Sequence, residues 1–442
     1  NTKLAHYASV WALCIILTVL IAVPLLLSVL PTPKNRELRK NALRLVGDVS
    51  ANLVTRVPSK IILSMAMLLL VGGYMSSKVT IGESEPGSPI LYQTHDYNIG
   101  SRRINDSFPG SEELYIVAET DEEGGIKRPE VLAALADLER HMLLDPEVGG
   151  AKGIPDLVKQ VNRLLHNNDP RWAQIPKDDL YVGGLLFAYM ASSPIPGATK
   201  EFIDPSERVA NLVFFYKDHQ GETIRRAIYT AKEWIRENEN KVEGLTIRLA
   251  GGTIGVTAAM NEAAFETNKV VLPLVFLFIF LSVMAFYGSF HAGFLMFLAM
   301  LFATTLTYAY MGLAGVGINI NTVPIVAVGV GVGIDYSIYM MDRIREQRLK
   351  VPTLVEAVRS ALATTGLAIS FTALTLIAGI VMWIFLSDLR FQADAALLLS
   401  VMVVLNALAA LFLIPSWVLV FKPTFVTRLE MDEDGFIHQK EA

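Results

Sequence analysis

Asp335 and Tyr336 stand side by side in GVGVGIDYSIYMMDRIREQR (residues 329–348), within a strongly apolar stretch. A carboxylate at such a place is costly, and intramembrane acids mark ion or proton pathways by default. If the span starts near Ile320 and rises ~1.5 Å per residue, Asp335 lies ~22 Å in and ~12 Å before Arg343. Gly329, Gly331 and Gly333 precede it and thin the helix, and Gly329 and Gly333 are spaced as in small-xxx-small packing. The expectation is a carboxylate buried among helices rather than facing lipid. A desolvated carboxyl exchanges its proton nearer ambient pH, which suits a carrier driven by a transmembrane gradient. Tyr336 can donate to a carboxylate on a partner helix. In TTGLAISFTALTLIAG (364–379), Thr365 and Thr372 share one helix face and Thr375 lies a turn beyond Thr372. Their hydroxyls could hand a hydrogen bond towards Asp335 or hold a water beside it. The blander alternatives are an Asp that fixes helix packing and threonines that merely pack.

Other chemistries find little support. The seven histidines show no metal spacing, no Walker-type phosphate loop is present, and no Ser-His-Asp arrangement can be argued from spacing. GGTIGV (251–256) lacks a nucleotide-binding context, and His95 and Asp96 read as solvated. No cofactor, metal, nucleic-acid partner or enzymatic activity is expected.

The elements that must position Asp335 follow from composition. Of 442 residues, 52% are hydrophobic and 18% charged, with a mean hydropathy of +0.42. Long apolar runs make this a polytopic α-helical membrane protein. Seven spans fall near 8–30, 59–77, 269–288, 291–313, 320–341, 365–387 and 393–421, the first with a kink at Pro24. Lys34, Arg36, Arg39, Lys40, Arg44, Arg56 and Lys60 follow the first span; Arg343, Arg345, Arg348, Lys350 and Arg359 follow the fifth. Both sets belong on the cytoplasmic side. The polar segment 78–268 then falls outside and the tail 422–442 inside. Residues 31–58 read as an amphipathic linker on the inner leaflet, or as a plain solvated one. Cys14 is the single cysteine, so no intrachain disulfide can form. The chain opens on Asn1 and is expected to be the latter part of a longer protein; no internal repeat is visible.

The external segment reads as a mixed α/β domain. Strands are expected at 111–120, 207–219 and 245–252, and helices at 129–145 and 221–240, the order of a split β-α-β, ferredoxin-like unit. Residues 181–202 are apolar but irregular and read as a flap over a cleft or a loop packed on the core. Residues 257–269 look helical and run into the next span.

GLAGVGININTVPIVAVGVGVGIDYSIYMMDRIRE (312–346) resembles the tenth helix and preceding loop of resistance-nodulation-division (RND) exporters. The likeness is greatest to the branch of mycobacterial large membrane proteins, hopanoid exporters and Patched-like proteins. AISFTALTLIAG (368–379) looks like their eleventh helix. FIDPSERVANLVFFYKDHQGETIRRAIYTAKEWI (202–235) is similar to the second half of their external porter domain. The resemblance implies the second half of a twelve-helix fold. Residues 1–30 would be helix six of a missing first half and 31–58 a cytoplasmic linker. Residues 59–77 would be helix seven, 78–268 a periplasmic porter domain, 269–421 helices eight to twelve and 422–442 a cytoplasmic tail. It also implies proton-driven export or trafficking of lipids or other hydrophobic molecules from a bacterial inner membrane. Asp335, Tyr336, Thr372 and Thr375 would form the relay, with Gly331 and Asp335 matching the Patched-like GxxxD. The helix-four partner pair would lie in the missing half, which carries a second porter domain. A periplasmic or outer-membrane partner and a homo-oligomer are both compatible with it. The span holds no lysine and segment 78–268 is too short for the multidrug docking subdomain. Both features favour lipid handling over a multidrug efflux subunit. The remaining alternatives are a non-transporting lipid- or sterol-sensing scaffold and a protein-translocation helper.

Overall fold

The computed structural model describes residues 2–30, 42–194, 197–238, 241–431 and 437–439. It divides into two compact units, Asn1–Leu45 and Val46–Ala442. In the first unit, helix α1 runs through Thr2–Leu17, a π turn Thr18–Ala22 and Val23–Val29, with Pro24 just after the π turn. Its wide turn frees the backbone ahead of the proline, which cannot donate to the helix ladder. Lys34, Arg36, Arg39 and Lys40 of the expected linker lie outside the described residues. Helix α2 (Ala42–Arg56) follows. Ser50, Ala51 and Val54 are buried against the bundle, and a Cβ at Gly47 would stand 3.1 Å from the Leu362 carbonyl. Val46, Val49 and Leu53 remain exposed.

Six further long helices follow: α3 (Pro58–Ser76), then α9 (Gly252–Tyr287), α10 (Phe290–Ala314), α11 (Thr322–Lys350), α12 (Leu354–Leu386) and α13 (Arg390–Phe421). With α1 they make seven helices long and apolar enough to cross a membrane, matching the seven expected spans. Helix α9 has 36 residues, about 54 Å of helix against a hydrocarbon layer of about 30 Å. Its length therefore exceeds a layer of that thickness, and its first half carries Asn261, Glu262, Glu266 and Lys269. Helix α10 is the central element, burying Ala292, Leu295, Met296, Ala299, Met300 and Ala303. Helix α13 contains a second π turn, Ala409–Leu413, followed by Pro415. At one constant offset, Ser9, Val10, Leu17, Leu20, Pro24 and Val29 of α1 coincide with Ser400, Val401, Leu408, Leu411, Pro415 and Val420, and the two π turns coincide as well. An internal likeness thus exists where the sequence alone shows none, because a shared backbone defect registers two runs of interchangeable apolar residues.

Between α3 and α9 lies an α+β domain. Helix α4 (Asp96–Ser107) precedes strand β1 (Glu112–Thr120), helix α5 (Pro129–Met142) and strand β2 (Val148–Lys152). Helices α6 (Ile154–Leu165) and α7 (Asp179–Ser192) lead to strand β3 (Val209–Tyr216), helix α8 (Gly221–Asn238) and strand β4 (Leu245–Gly251). The sheet order is β2-β3-β1-β4, antiparallel throughout. Setting α6 and α7 aside, this is the β-α-β-β-α-β plan. Alternation on β1 buries Leu114, Ile116 and Ala118 against Leu132, Leu135 and Ala227 of the α5 and α8 side.

Two local readings need correction. Strand β2 was not expected, because VGGAK offers two glycines and no alternation; pairing with β3 makes it a strand. The stretch taken as an irregular flap is helical over 179–192, capped by the Asp178 carboxylate accepting from the Leu180 amide at 3.1 Å. Val182, Leu185 and Leu186 bury its inner face.

Candidate functional site

Helix α11 starts where Asn319 folds back: its side-chain oxygen accepts from the amides of Asn321 and Thr322, each at 2.9 Å. From there the helix presents two different faces. On one, Gly329, Gly333 and Ser337 are buried, four residues apart. A Cβ at Gly333 would lie 1.9 Å from the Asn406 side chain, and one at Gly329 would lie 2.3 Å from Met402 Sδ. The glycines leave room for the Met402 and Asn406 side chains of α13 against the α11 backbone. Asn406, buried in the membrane part, donates to the Met402 carbonyl at 2.9 Å and the Gly329 carbonyl at 3.5 Å.

The other face carries Gly331, Asp335 and Tyr339. Nothing stands within 4 Å of a Cβ at Gly331, and Tyr339 is 58% exposed. Asp335 is exposed and makes no hydrogen bond or ion pair among the described residues. The expected burial among helices is therefore not found among the described residues. The reason is angular. At about 100° per residue, Asp335 points about 200° away from Gly333, so the glycines thin the side opposite the carboxylate.

Tyr336 is 3% exposed, and its hydroxyl has no hydrogen-bond partner among the described residues. An open cleft of 500 Å³ between α11 and α12 brings Tyr336 and Tyr339 together with Thr365 and Thr372. The Thr372 hydroxyl donates to its own helix at Ala368 O, 2.9 Å. Thr375, also exposed, is bonded to the carbonyls of Phe371 and Thr372 at 3.0 and 2.9 Å. Neither hydroxyl reaches Asp335. At the basic end of the cleft, Tyr287 donates to Asp342 at 2.7 Å and Arg345 lies 4.9 Å from the centre of the Tyr287 ring. Arg345 also donates to the Phe425 carbonyl at 3.2 Å.

The outer end of the same helix is built differently. After α3 the chain forms a strap that crosses the loop before α11: Gly82 N donates to Ile318 O and Ile318 N to Thr80 O, both at 2.8 Å. The first residue of α8 joins the crossing, with Gly221 N donating to Glu83 O at 2.7 Å. No side chain fits there. A Cβ at Gly221 would lie 2.1 Å from the Ile81 carbonyl oxygen, and one at Gly317 would lie 2.0 Å from that of Gly82. Around it, Asn319 donates to Glu83 at 3.0 Å, and Arg390 engages Glu85 with both terminal nitrogens and reaches Asp394 at 3.4 Å. Just above, His219 and Glu112 approach to 3.2 Å. Burial pushes the Glu83 carboxyl up, only partly offset by the Asn319 bond and the nearby His219. Burial works against a charged His219, but Glu112, Glu83 and Asp218 outweigh it and raise its pKa.

Sequence reasoning missed Asn406, Glu83, Asn319 and Arg390. Asn406 carried the signal used for Asp335: a polar side chain inside an apolar run. The strap residues carried none, since charges at span ends are ordinary. Among the described residues no cluster of three His, Cys, Asp or Glu could hold a metal ion.

Comparison with known proteins places this geometry. A protein of Methanocaldococcus jannaschii, named only as a membrane protein, is 22% identical over 284 residues, covering 62% of this chain and 69% of its own. The model of the MMPL family matches residues 169–428, which take in β3, α8 and every helix from α9 to α13. That is more than half of the chain's 442 residues. With seven membrane-crossing helices, Asp335 on an open face and a glycine-packed α11, the chain belongs to the MMPL family, in the lipid-handling branch of the RND superfamily.

Proposed function

We propose that the protein is a proton-motive-force-driven transporter that moves lipids or other hydrophobic molecules out of or across a bacterial inner membrane. The observation that carries this reading is the Gly331–Asp335–Tyr339 stripe. A carboxylate in the middle of a membrane helix has no partner among the described residues, while side chains of α13 fill the glycine positions on the opposite face of the same helix. An uncompensated carboxylate in hydrocarbon is too costly to stand alone, so the stripe calls for a covering helix that brings a polar partner. The shared π turn and proline of α1 and α13 support a molecule of two similar six-helix halves, with α1 closing the first. The covering helix then comes from that first half.

In this mechanism Asp335 takes a proton from the outer side and pairs differently with the covering helix in its two protonation states. That change biases the bundle between two arrangements. Tyr336, Thr372 and Thr375 line the route, with Gly329, Gly331 and Gly333 setting how closely helices approach. The α+β domain serves as the periplasmic porter domain. The strap at Gly82 passes helix movement to α8, because it touches the loop before α11 and the start of α8 through backbone alone.

Asp335→Asn is the decisive variant. It keeps shape and removes the proton site, so the protein is expected to fold normally. Lipid transfer from proteoliposomes under an imposed proton gradient should then be lost. Full transfer by that variant overturns proton coupling; lipid binding without any gradient dependence in the unmodified protein points to a sensor or scaffold.

A further inference from the structure

The connection between β3 and α8 brings a histidine to the crossing of the strap. His219 lies two residues before Gly221, whose amide holds the Glu83 carbonyl at 2.7 Å. His219 Nδ1 stands 3.2 Å from Glu112 Oε1 of the first residue of β1, and both side chains are largely buried. The charged groups that face this imidazole come from three segments: Glu112 from β1, Glu83 from the strap and Asp218 from its own loop. All three are carboxyls. The start of α9 adds Thr253 beside Glu112 and Asn261 beside Gly82, neither of which titrates. On the far side of Glu83, Arg390 supplies a fixed positive charge that Glu85 and Asp394 already share. The proton on His219 therefore decides whether Glu112 and Glu83 face a second cation or a neutral ring.

We propose that His219, with Glu112 and Glu83, is a second proton-binding site, separate from Asp335, whose occupancy sets how tightly the strap is tied to the α+β domain. When charged, the imidazole attracts β1 through Glu112 and the strap through Glu83. When neutral, it leaves half-buried carboxylates facing one another, and the strap keeps only its backbone bonds, the Asn319 contact and Arg390. The pair is consistent from both sides. Burial works against a charged His219, yet the three carboxyls hold its pKa above the ordinary range. Burial works against an ionised Glu112 too, yet His219 and Thr253 hold its pKa down. A group whose pKa is raised in the tied state stabilises that state fully below its ordinary value of about 6.5, and the contribution fades as pH rises through the raised value. The joint is thus tied when the solution around the α+β domain is acid and looser when it is alkaline. The inference goes beyond the transporter reading and needs neither Asp335 nor a lipid. Joined to that reading, it makes the link between α11 and α8 tightest when protons are plentiful on the domain's side.

The test follows the full chain in nanodiscs from about pH 5.5 to about 8.5, the range in which a histidine changes charge. Hydrogen exchange at the imidazole C2 position, read by mass spectrometry, gives the His219 titration directly. Its midpoint is expected above about 6.5, and Glu112→Gln should bring it down. Amide exchange of residues 79–93, corrected for its intrinsic pH dependence, reads the joint. Protection there should fall as His219 loses its proton, by a factor set by the ratio of its acid constants in the tied and loosened states. His219→Gln removes the proton site, so its strap should show at every pH the protection that the unmodified protein shows at alkaline pH. Glu139→Gln and Asp335→Asn should leave the pH response of the strap intact, so that this proposal and the proton mechanism at Asp335 fail separately. A His219 midpoint at or below about 6.5, a midpoint indifferent to Glu112→Gln, or a strap response that survives in His219→Gln or vanishes in Glu139→Gln overturns the inference. If His219→Gln does not fold, the His219 titration in the unmodified protein and in Glu112→Gln decides the matter.

Discussion

The outer end and the middle of α11 treat acidic groups in opposite ways. At the outer end Glu83, Glu85 and Asp394 each have a cation or amide to meet, and Asn319 ties the helix start to the strap. Halfway down, Asp335 has nothing. Polar groups left buried and unpaired are expensive, so a chain that satisfies one cluster so fully is not careless with the next carboxylate. The outer cluster is a fastening and asks for no further partner. On the proposed reading Asp335 asks for a partner from another segment, on the side of the helix that it occupies.

The contrast is open to attack on several fronts. The largest effect belongs to the packed face. Gly333→Leu should lower bundle stability by about 3 kcal/mol, since Asn406 would have to move, whereas Gly331→Leu should cost under about 0.5 kcal/mol. Thermal midpoints of the two variants in nanodiscs, compared directly, settle whether the faces differ; equal losses erase the comparison. Next comes a buried carboxyl in the α+β domain. Glu139 is 2% exposed, and burial, together with the charge of Asp156 and a hydrogen bond with it, pushes its pKa up to about 8. A folded-state pKa raised above the unfolded one means stability is full at low pH. It is lost as pH rises from about 4.5 through about 8. Stability should fall across that window, and Glu139→Gln should flatten the slope in denaturant titrations. A slope that survives the substitution assigns it elsewhere.

Smaller again is the fastening itself. Arg390→Ala should cost about 1–2 kcal/mol by stranding Glu85 and Asp394, and should loosen amide exchange protection in residues 79–93. Protection unchanged there would mean the strap is held by its backbone bonds alone. Smallest is Thr372→Val. Its hydroxyl serves only its own helix, so stability should shift by less than about 0.5 kcal/mol. A pronounced loss of gradient-driven transfer in that stable variant places the hydroxyl on the proton route; unchanged transfer removes it.

The spans were legible because 18 or more apolar residues in a row have few other uses. Strands β1, β3 and β4 were legible from alternation, and α5 and α8 from period and from Pro129 and Gly221 at their starts. What escaped was decided by tertiary contact. Strand β2 exists because β3 offers it an edge, and α7 because Val182, Leu185 and Leu186 find a core. Asp335 stands out in the sequence as the odd residue in its span, but its surroundings do not. Three glycines at alternate positions look like a collar in the sequence, whereas on a helix Gly329 and Gly333 belong to one side and Gly331 to the other. The strap was illegible altogether, since it depends on three glycines distant in sequence meeting at one point.

That meeting point has a mechanical meaning. Where Gly82, Gly221 and Gly317 cross, main chain rests on main chain, and no rotatable group lies between them to absorb a shift. Side chains act as cushions; a joint without them has no play. A displacement of the loop ahead of α11 is therefore expected to reach the first turn of α8 through main chain alone.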